Sequence, residues 1–114
     1  MRALICREFG PWEQLSLGTL DDPTPGEGEI LIDVRAAGVN FPDLLIVQGK
    51  YQVLPPLPFV PGAEGAGVVS EVGQGVTRFE IGDPVVAVGT GLIGSFAEKM
   101  VVAESAAMPL AGQK

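Results

Sequence analysis

The chain has 114 residues, 46% of them hydrophobic, which is enough for one domain with one modest core. Its formal net charge is -7 and its seven basic residues are scattered singly, which argues against nucleic acid and anionic membrane surfaces as partners. One cysteine and no histidine exclude an intrachain disulfide and an ordinary zinc donor set.

No apolar run approaches the roughly 20 residues that cross a bilayer. The strand-like "RALIC" after Met1 is unlike a secretory signal, so we expect a cytoplasmic protein. "MRALICREFG" reads as a first strand, with Cys6 in the core. "EQLSLGTL" reads as a second, with Leu15 and Leu17 on one face. Trp12, between them after Gly-Pro, is an edge anchor or a substrate-side aromatic, and the structural role is preferred. Residues 21–28 form a turn-rich connection. "EILIDVRAAGVN" gives the strongest strand pattern, with Ile30, Ile32 and Val34 pointing one way.

"NFPDLLIVQGK" predicts one short helix. Asn40 caps it, Pro42 suits its first turn, Asp43 complements its positive end and Gly49 ends it. The proline-rich "VLPPLPFVPG" should be extended and irregular. "AEGAGVVSEVGQGV" resumes a strand whose Gly65 and Gly67 mark a close backbone approach or a sharp bend. On this strand Glu64 is expected to be buried and therefore to need a partner. Asp83 shapes the turn before "PVVAV"; "SFAEKMVV" is a further strand and "ESAAMPL" a short terminal one. Ala111 to Lys114 should fray. About seven short strands and one helix predict a mainly β fold, an irregular barrel or sandwich.

Between "PVVAV" and "SFAEKMVV" lies "GTGLIG", Gly89 to Gly94, a G-x-G-x-x-G match to the dinucleotide-binding fingerprint. That fingerprint needs a following helix whose N-terminus faces a pyrophosphate. Here a strand-like segment follows and too little chain remains for a βαβ unit. We read the match as a glycine-rich hairpin loop between two strands.

Three blocks together resemble the N-terminal, GroES-like domain of medium-chain dehydrogenases/reductases. They are Ala36 to Asp43 running on to Gly49-Lys50-Tyr51, Leu57 to Asp83, and Gly94 to Val102. The branch most similar is the zinc-independent quinone oxidoreductases and related enoyl reductases. Where the alcohol dehydrogenase branch carries a zinc-binding cysteine, this chain has Asn40; where that branch has Gly-His-Glu, it has Gly62-Ala63-Glu64. The resemblance thus implies a GroES-like β-barrel over residues 1–114 and no metal. It also implies NADPH as cofactor, bound mainly by a C-terminal dinucleotide-binding domain expected beyond Lys114. The glycine-rich face from Gly62 to Gly67 is expected to adjoin something.

Hydride transfer to a polarised double bond needs a carbonyl polariser and a proton donor. The resemblance places Asn40 in the cleft near nicotinamide and substrate, as a donor in place of zinc; a plain helix cap is the other reading. Tyr51, the sole tyrosine, contacts substrate or acts as acid by the same resemblance, or simply covers the core edge. Asp43 fixes Asn40 or binds cofactor, or only complements the helix dipole. Glu64 is a cleft residue or a structural acid. The expected catalytic residues are therefore Asn40 and Tyr51, with Asn40, Asp43 and Glu64 toward the cofactor.

The expected function is the substrate-side domain of an NADP(H)-dependent, zinc-independent oxidoreductase reducing quinones or enones. It would be inactive alone and a homodimer at full length. The alternatives are an enoyl-thioester reductase and a non-catalytic GroES-like interaction or oligomerisation module. For the module, the stretch from Leu54 to Phe59 is too rich in proline to resemble a co-chaperonin's mobile loop.

Overall fold

The computed structural model describes residues 1–110; Ala111 to Lys114, where fraying is expected, lie outside the described residues. Among the described residues seven strands and one α-helix follow in the order β1 (Arg2–Ile5), β2 (Ser16–Thr19), β3 (Glu29–Gly38), α1 (Phe41–Val47), β4 (Glu64–Val72), β5 (Pro84–Val88), β6 (Lys99–Ala103) and β7 (Ala107–Pro109). Single 3-10 turns sit at Trp12–Gln14, Thr90–Leu92 and Glu104–Ala106. The fold is mainly β and irregular, as the sequence predicts.

Every pairing is antiparallel. β1 and β2 form a ribbon, and the other strands form a sheet in the order β6-β3-β4-β5-β7. Bridges from Ala3 to Ala97 and from Cys6 to Phe59 tie the ribbon to the rest without closing the two sheets into one ring. β3 carries the fold because it pairs on both edges. It loses register with β4 at Leu31/Ile32 and at Val34/Ala36, where Arg35 is the extra residue. Such bulges bend and twist a strand locally.

The main core lies on one face of this sheet. Ile30, Ile32, Val69, Val85, Met100 and Val102 are its centre. A second cluster packs α1 onto the ribbon side through Cys6, Ile46, Val47 and Phe59. Leu31 is fully buried as well, so the alternation in β3 does not leave a purely polar second face. Leu17 departs from expectation: it is 68% exposed and does not share a buried face with Leu15, which lies outside β2. A two-stranded ribbon at the edge of the molecule has only one face to bury.

The glycines of β4 do what close approach requires. An ideal Cβ on Gly67 would lie within van der Waals overlap of the Asp33 backbone carbonyl, and one on Gly65 would press on Met100 and Ser95. With Gly62 facing Ser95 and Phe96 in the same way, the glycine-rich face adjoins this chain's own β3 and 95–96 segment. The Asp83 carboxylate accepts the Glu80 N–H at 2.9 Å and so shapes the turn into β5, as predicted.

The Gly89 to Gly94 connection is a loop but not a hairpin. β5 and β6 are not neighbours, because β4 and β3 lie between them. Its backbone is stitched to residues 60–63: the N–H groups of Gly89, Gly94, Ser95 and Phe96 donate to the carbonyls of Ala63, Val60, Gly62 and Pro61 at 2.7–3.1 Å. Leu92, at φ 65°, takes a left-handed conformation uncommon outside glycine. Its side chain and that of Ile93 pack against the second cluster, which holds the loop in place.

Candidate functional site

The helix start builds the site. Asn40 is extended at φ -127° and ψ 160°, so the chain leaves β3 and turns sharply into α1. Pro42 lies in the first turn, where its missing N–H costs nothing. The Asp43 carboxylate reaches back, and its Oδ2 accepts the Asn40 backbone N–H at 2.8 Å. The Asp43 N–H goes to the Asn40 backbone carbonyl at 3.0 Å. The Asn40 side chain stands at the cap position of α1 and is exposed, so its carboxamide is open to a ligand. Two of the three readings of Asp43 thus meet in one geometry: the carboxylate complements the helix and fixes the backbone of Asn40.

The other two expected residues stand apart. Glu64 pairs across the sheet with Gly38, two residues before Asn40, and it is exposed. This corrects its expected burial. It begins β4 beyond the covered part of the strand, so its carboxylate stays in water and needs no buried partner. Its side chain covers Gly38, where an added Cβ would collide with the carboxylate. Tyr51 is half-buried, and its ring packs against the second cluster with Cys6, Ile46 and Val47. The structure therefore joins Asn40 with Asp43, sets Glu64 nearby on the adjoining strand, and leaves Tyr51 on the packed side of α1.

Two buried side-chain oxygens have no hydrogen-bond partner among the described residues, Asp43 Oδ1 and Ser95 Oγ. Asp43 lines a hollow of about 250 Å³ whose other walls are apolar, including Leu4, Leu15, Val47, Pro61 and Phe96. Trp12 stands on its rim, 57% exposed. The indole expected as an edge anchor therefore faces a cavity. The Gly-Pro turn before an exposed aromatic was the one sequence signal for this; nothing in the sequence marked Ser95 or Phe96.

Charge elsewhere is local. Asp33 and Lys99 face each other across β3 and β6 with Nζ 2.5 Å from Oδ1. The hydrogen bond from Lys99 holds the Asp33 carboxyl below its ordinary range, and the same bond raises the Lys99 ammonium. Burial pushes the Cys6 thiol up, only partly countered by its hydrogen bond to the Glu8 carbonyl. Among the described residues no group of three or more His, Cys, Asp or Glu side chains is gathered, and no helix is long and apolar enough to cross a membrane.

Comparison with known proteins adds a frame. Residues 26–112 match the family described as the alcohol dehydrogenase GroES-like domain. The chain is 46% identical over 87 residues to the synaptic vesicle membrane protein VAT-1 homolog of Rattus norvegicus, covering 75% of this chain and 22% of that one. It is 39% identical over 111 residues to the quinone oxidoreductase of Rattus norvegicus, covering 96% of this chain and 33% of the other. The crystal structure of Escherichia coli quinone oxidoreductase complexed with NADPH is similar at a TM-score of 0.89 and 32% identity, over 96% of this chain and 34% of that chain. The chain thus spans between about a fifth and a third of the length of these relatives.

Proposed function

The chain belongs to the alcohol dehydrogenase GroES-like domain family, and on that premise we propose that it is the substrate-side domain of an NADP(H)-dependent, zinc-independent oxidoreductase that reduces quinones or enones by hydride transfer. The observation that carries this reading is the exposed Asn40 carboxamide at the start of α1, where the Asp43 carboxylate fixes its backbone. Relatives named quinone oxidoreductase, one of them solved with NADPH, support the reaction class. Asn40 and Ala63, at the positions that resemble zinc ligands, offer neither thiolate nor imidazole, which supports chemistry without zinc.

The Gly89 to Gly94 loop is a poor pyrophosphate cradle, because its N–H groups at Gly89, Leu92 and Gly94 already donate within the chain and a strand, not a helix, follows it. A second domain would hold the pyrophosphate, which is why this chain alone should be inactive. NADPH supplies the hydride when bound. The chain's own residues supply the rest. The Asn40 amide donates to the substrate carbonyl and stabilises the negative charge that develops on its oxygen. The family resemblance makes Tyr51 the proton donor; its phenol is only half-buried at the edge of the second cluster, which leaves part of it open to a substrate. Asp43 keeps the backbone of Asn40 from fraying, so the amide is presented at one place.

The test is turnover. The full-length protein is assayed with quinones, enones and enoyl thioesters, using NADPH and then NADH, beside the 114-residue chain. We expect NADPH oxidation by the full-length protein with quinones or enones and none by the chain alone. Turnover by the isolated chain, or preference of the full-length protein for enoyl thioesters, overturns the proposal.

A further inference from the structure

We propose that Glu64 sets the charge selectivity of the site: its carboxylate turns away substrates that carry an anionic group beside the reacting carbonyl and admits neutral ones. The proposal rests on the reading that the substrate meets Asn40. Three observations carry it. The first is position. Glu64 lies opposite Gly38 across β3 and β4, and its carboxylate reaches over Gly38, where an added Cβ would strike Oε1. Asn40 is two residues further on, so its Cα is at most about 7 Å from that of Gly38. The separation is on the order of the Debye length at physiological salt, about 8 Å, so the charge is felt at Asn40 only partly screened.

The second is that the charge is free. Glu64 is exposed, and the two ion pairs among the described residues, Met1 with Asp22 and Asp33 with Lys99, do not involve it. The third is that no cation stands by to cancel it. The open groove beside it, about 300 Å³, is floored by small residues such as Ala36, Gly38, Gly65 and Ala66, and Glu64 is its one charged wall. The hollow lined by Val39 and Leu44 has Asp43 as its one charged group. Arg35 lines a different hollow, together with Asp22, Asp33 and Glu98. Lys50 follows the far end of α1, a helix about 10 Å long. The sign then follows from Coulomb's law. At about 8 Å, an effective dielectric constant between those of water and a protein surface makes an anion about three- to tenfold less favoured than its neutral analogue.

The experiment compares naphthoquinone with naphthoquinone sulfonate as substrates of the full-length protein. The quantity read is the ratio of their kcat/KM values, taken relative to the unaltered protein, so the reactivity of each quinone and any general loss of activity cancel. Glu64→Gln should shift the ratio toward the sulfonate about three- to tenfold at low salt. Glu64→Lys should shift it further, and added salt should shrink both shifts. Glu71→Gln removes the same charge about 20 Å further along β4 and should leave the ratio as it is. A ratio unmoved by Glu64→Gln and Glu64→Lys, or moved equally by Glu71→Gln, overturns the proposal. A second measurement needs no turnover. The Asn40 side-chain amide protons of the 114-residue chain should relax faster with a cationic nitroxide than with an anionic one. Glu64→Gln should at least halve that difference, and Glu71→Gln should not. Equal relaxation by the two probes, or a difference that Glu64→Gln leaves intact, overturns the proposal. Absence of quinone turnover would sink the reaction assigned to the protein, and the nitroxides would still decide the charge at Asn40.

Discussion

Gly67→Ala should be among the most damaging single methyl groups that can be added to this chain. Gly67 lies opposite Val34, at the edge of the Arg35 bulge. An ideal Cβ there falls 1.9 Å from the Asp33 carbonyl oxygen and 2.8 Å from its carbon. Carbon and oxygen tolerate about 3.3 Å, so β3 and β4 must part by more than about 1 Å. Both obstacles are backbone, and β3 is also pinned on its far edge by β6, with Asp33 opposite Lys99. Overpacking costs about 1–3 kcal/mol, and weakening one or two ladder hydrogen bonds adds about 1 kcal/mol each. Removing a glycine from the unfolded chain returns about 0.5–1 kcal/mol. The net loss is about 2–4 kcal/mol, a large share of a small domain's stability. Gly65→Ala is the control, because its nearest neighbours are Met100 Sδ at 3.1 Å and Ser95 Cβ at 3.2 Å, side-chain atoms that can give way. Urea unfolding followed by circular dichroism measures both. A Gly67→Ala chain no less stable than the Gly65→Ala chain refutes the reasoning.

In the full-length protein, Asn40→Ala should lower kcat/KM about 10–100-fold by removing an oxyanion donor. Tyr51→Phe should lower it about 100-fold by removing the acid; unchanged rates in both would remove these residues from the site. Asp33 titrates below its ordinary range because of the Lys99 hydrogen bond. The stability it adds is thus complete above the unfolded carboxyl pKa of about 3.9 and lost as pH falls through the lower folded value. An NMR titration should show the Asp33 pKa rising in Lys99→Met; no rise would mean that the pair has no influence in solution. Cys6, buried and raised in pKa mainly by desolvation, should react with a disulfide reagent at pH 8 far more slowly in the folded chain than in urea. Equal rates would show that the ribbon opens freely.

Much of the frame is legible in the residue order. The period-two pattern of β3, the Asn-Phe-Pro-Asp start of α1 and the glycines of β4 all act locally, and each produced the element or contact it predicted. What was not legible depends on where strands go in space. Leu17 carries a buried residue's chemistry, but its ribbon has no second layer to bury it. Glu64 follows apolar and glycine neighbours, but it begins its strand at an open end. The hollow is the clearest case. Leu4, Trp12, Asp43, Pro61 and Phe96 come from five separate parts of the chain, and no periodicity within any of them announces the cavity they share.

The glycine pattern at Gly89, Gly91 and Gly94 shows what a fingerprint does and does not encode. The spacing records where a backbone must turn tightly or approach something closely; it does not record what is approached. In a dinucleotide site the object is a phosphate, and the N–H groups around the glycines are free to meet it. Here the object is the chain itself. A Cβ on Gly89 would strike the Ile93 carbonyl, Gly91 and Gly94 hold φ of 70° and 113°, and the N–H groups of Gly89, Leu92 and Gly94 are bonded internally. The same three glycines are thus required by a strap that closes over residues 60–63, with Leu92 and Ile93 packed into the cluster that also holds Tyr51. Hydrogen-bond occupancy of the loop amides separates the two cases where sequence spacing cannot. By that criterion the segment is a strap of this domain, held to residues 60–63 and to the second cluster.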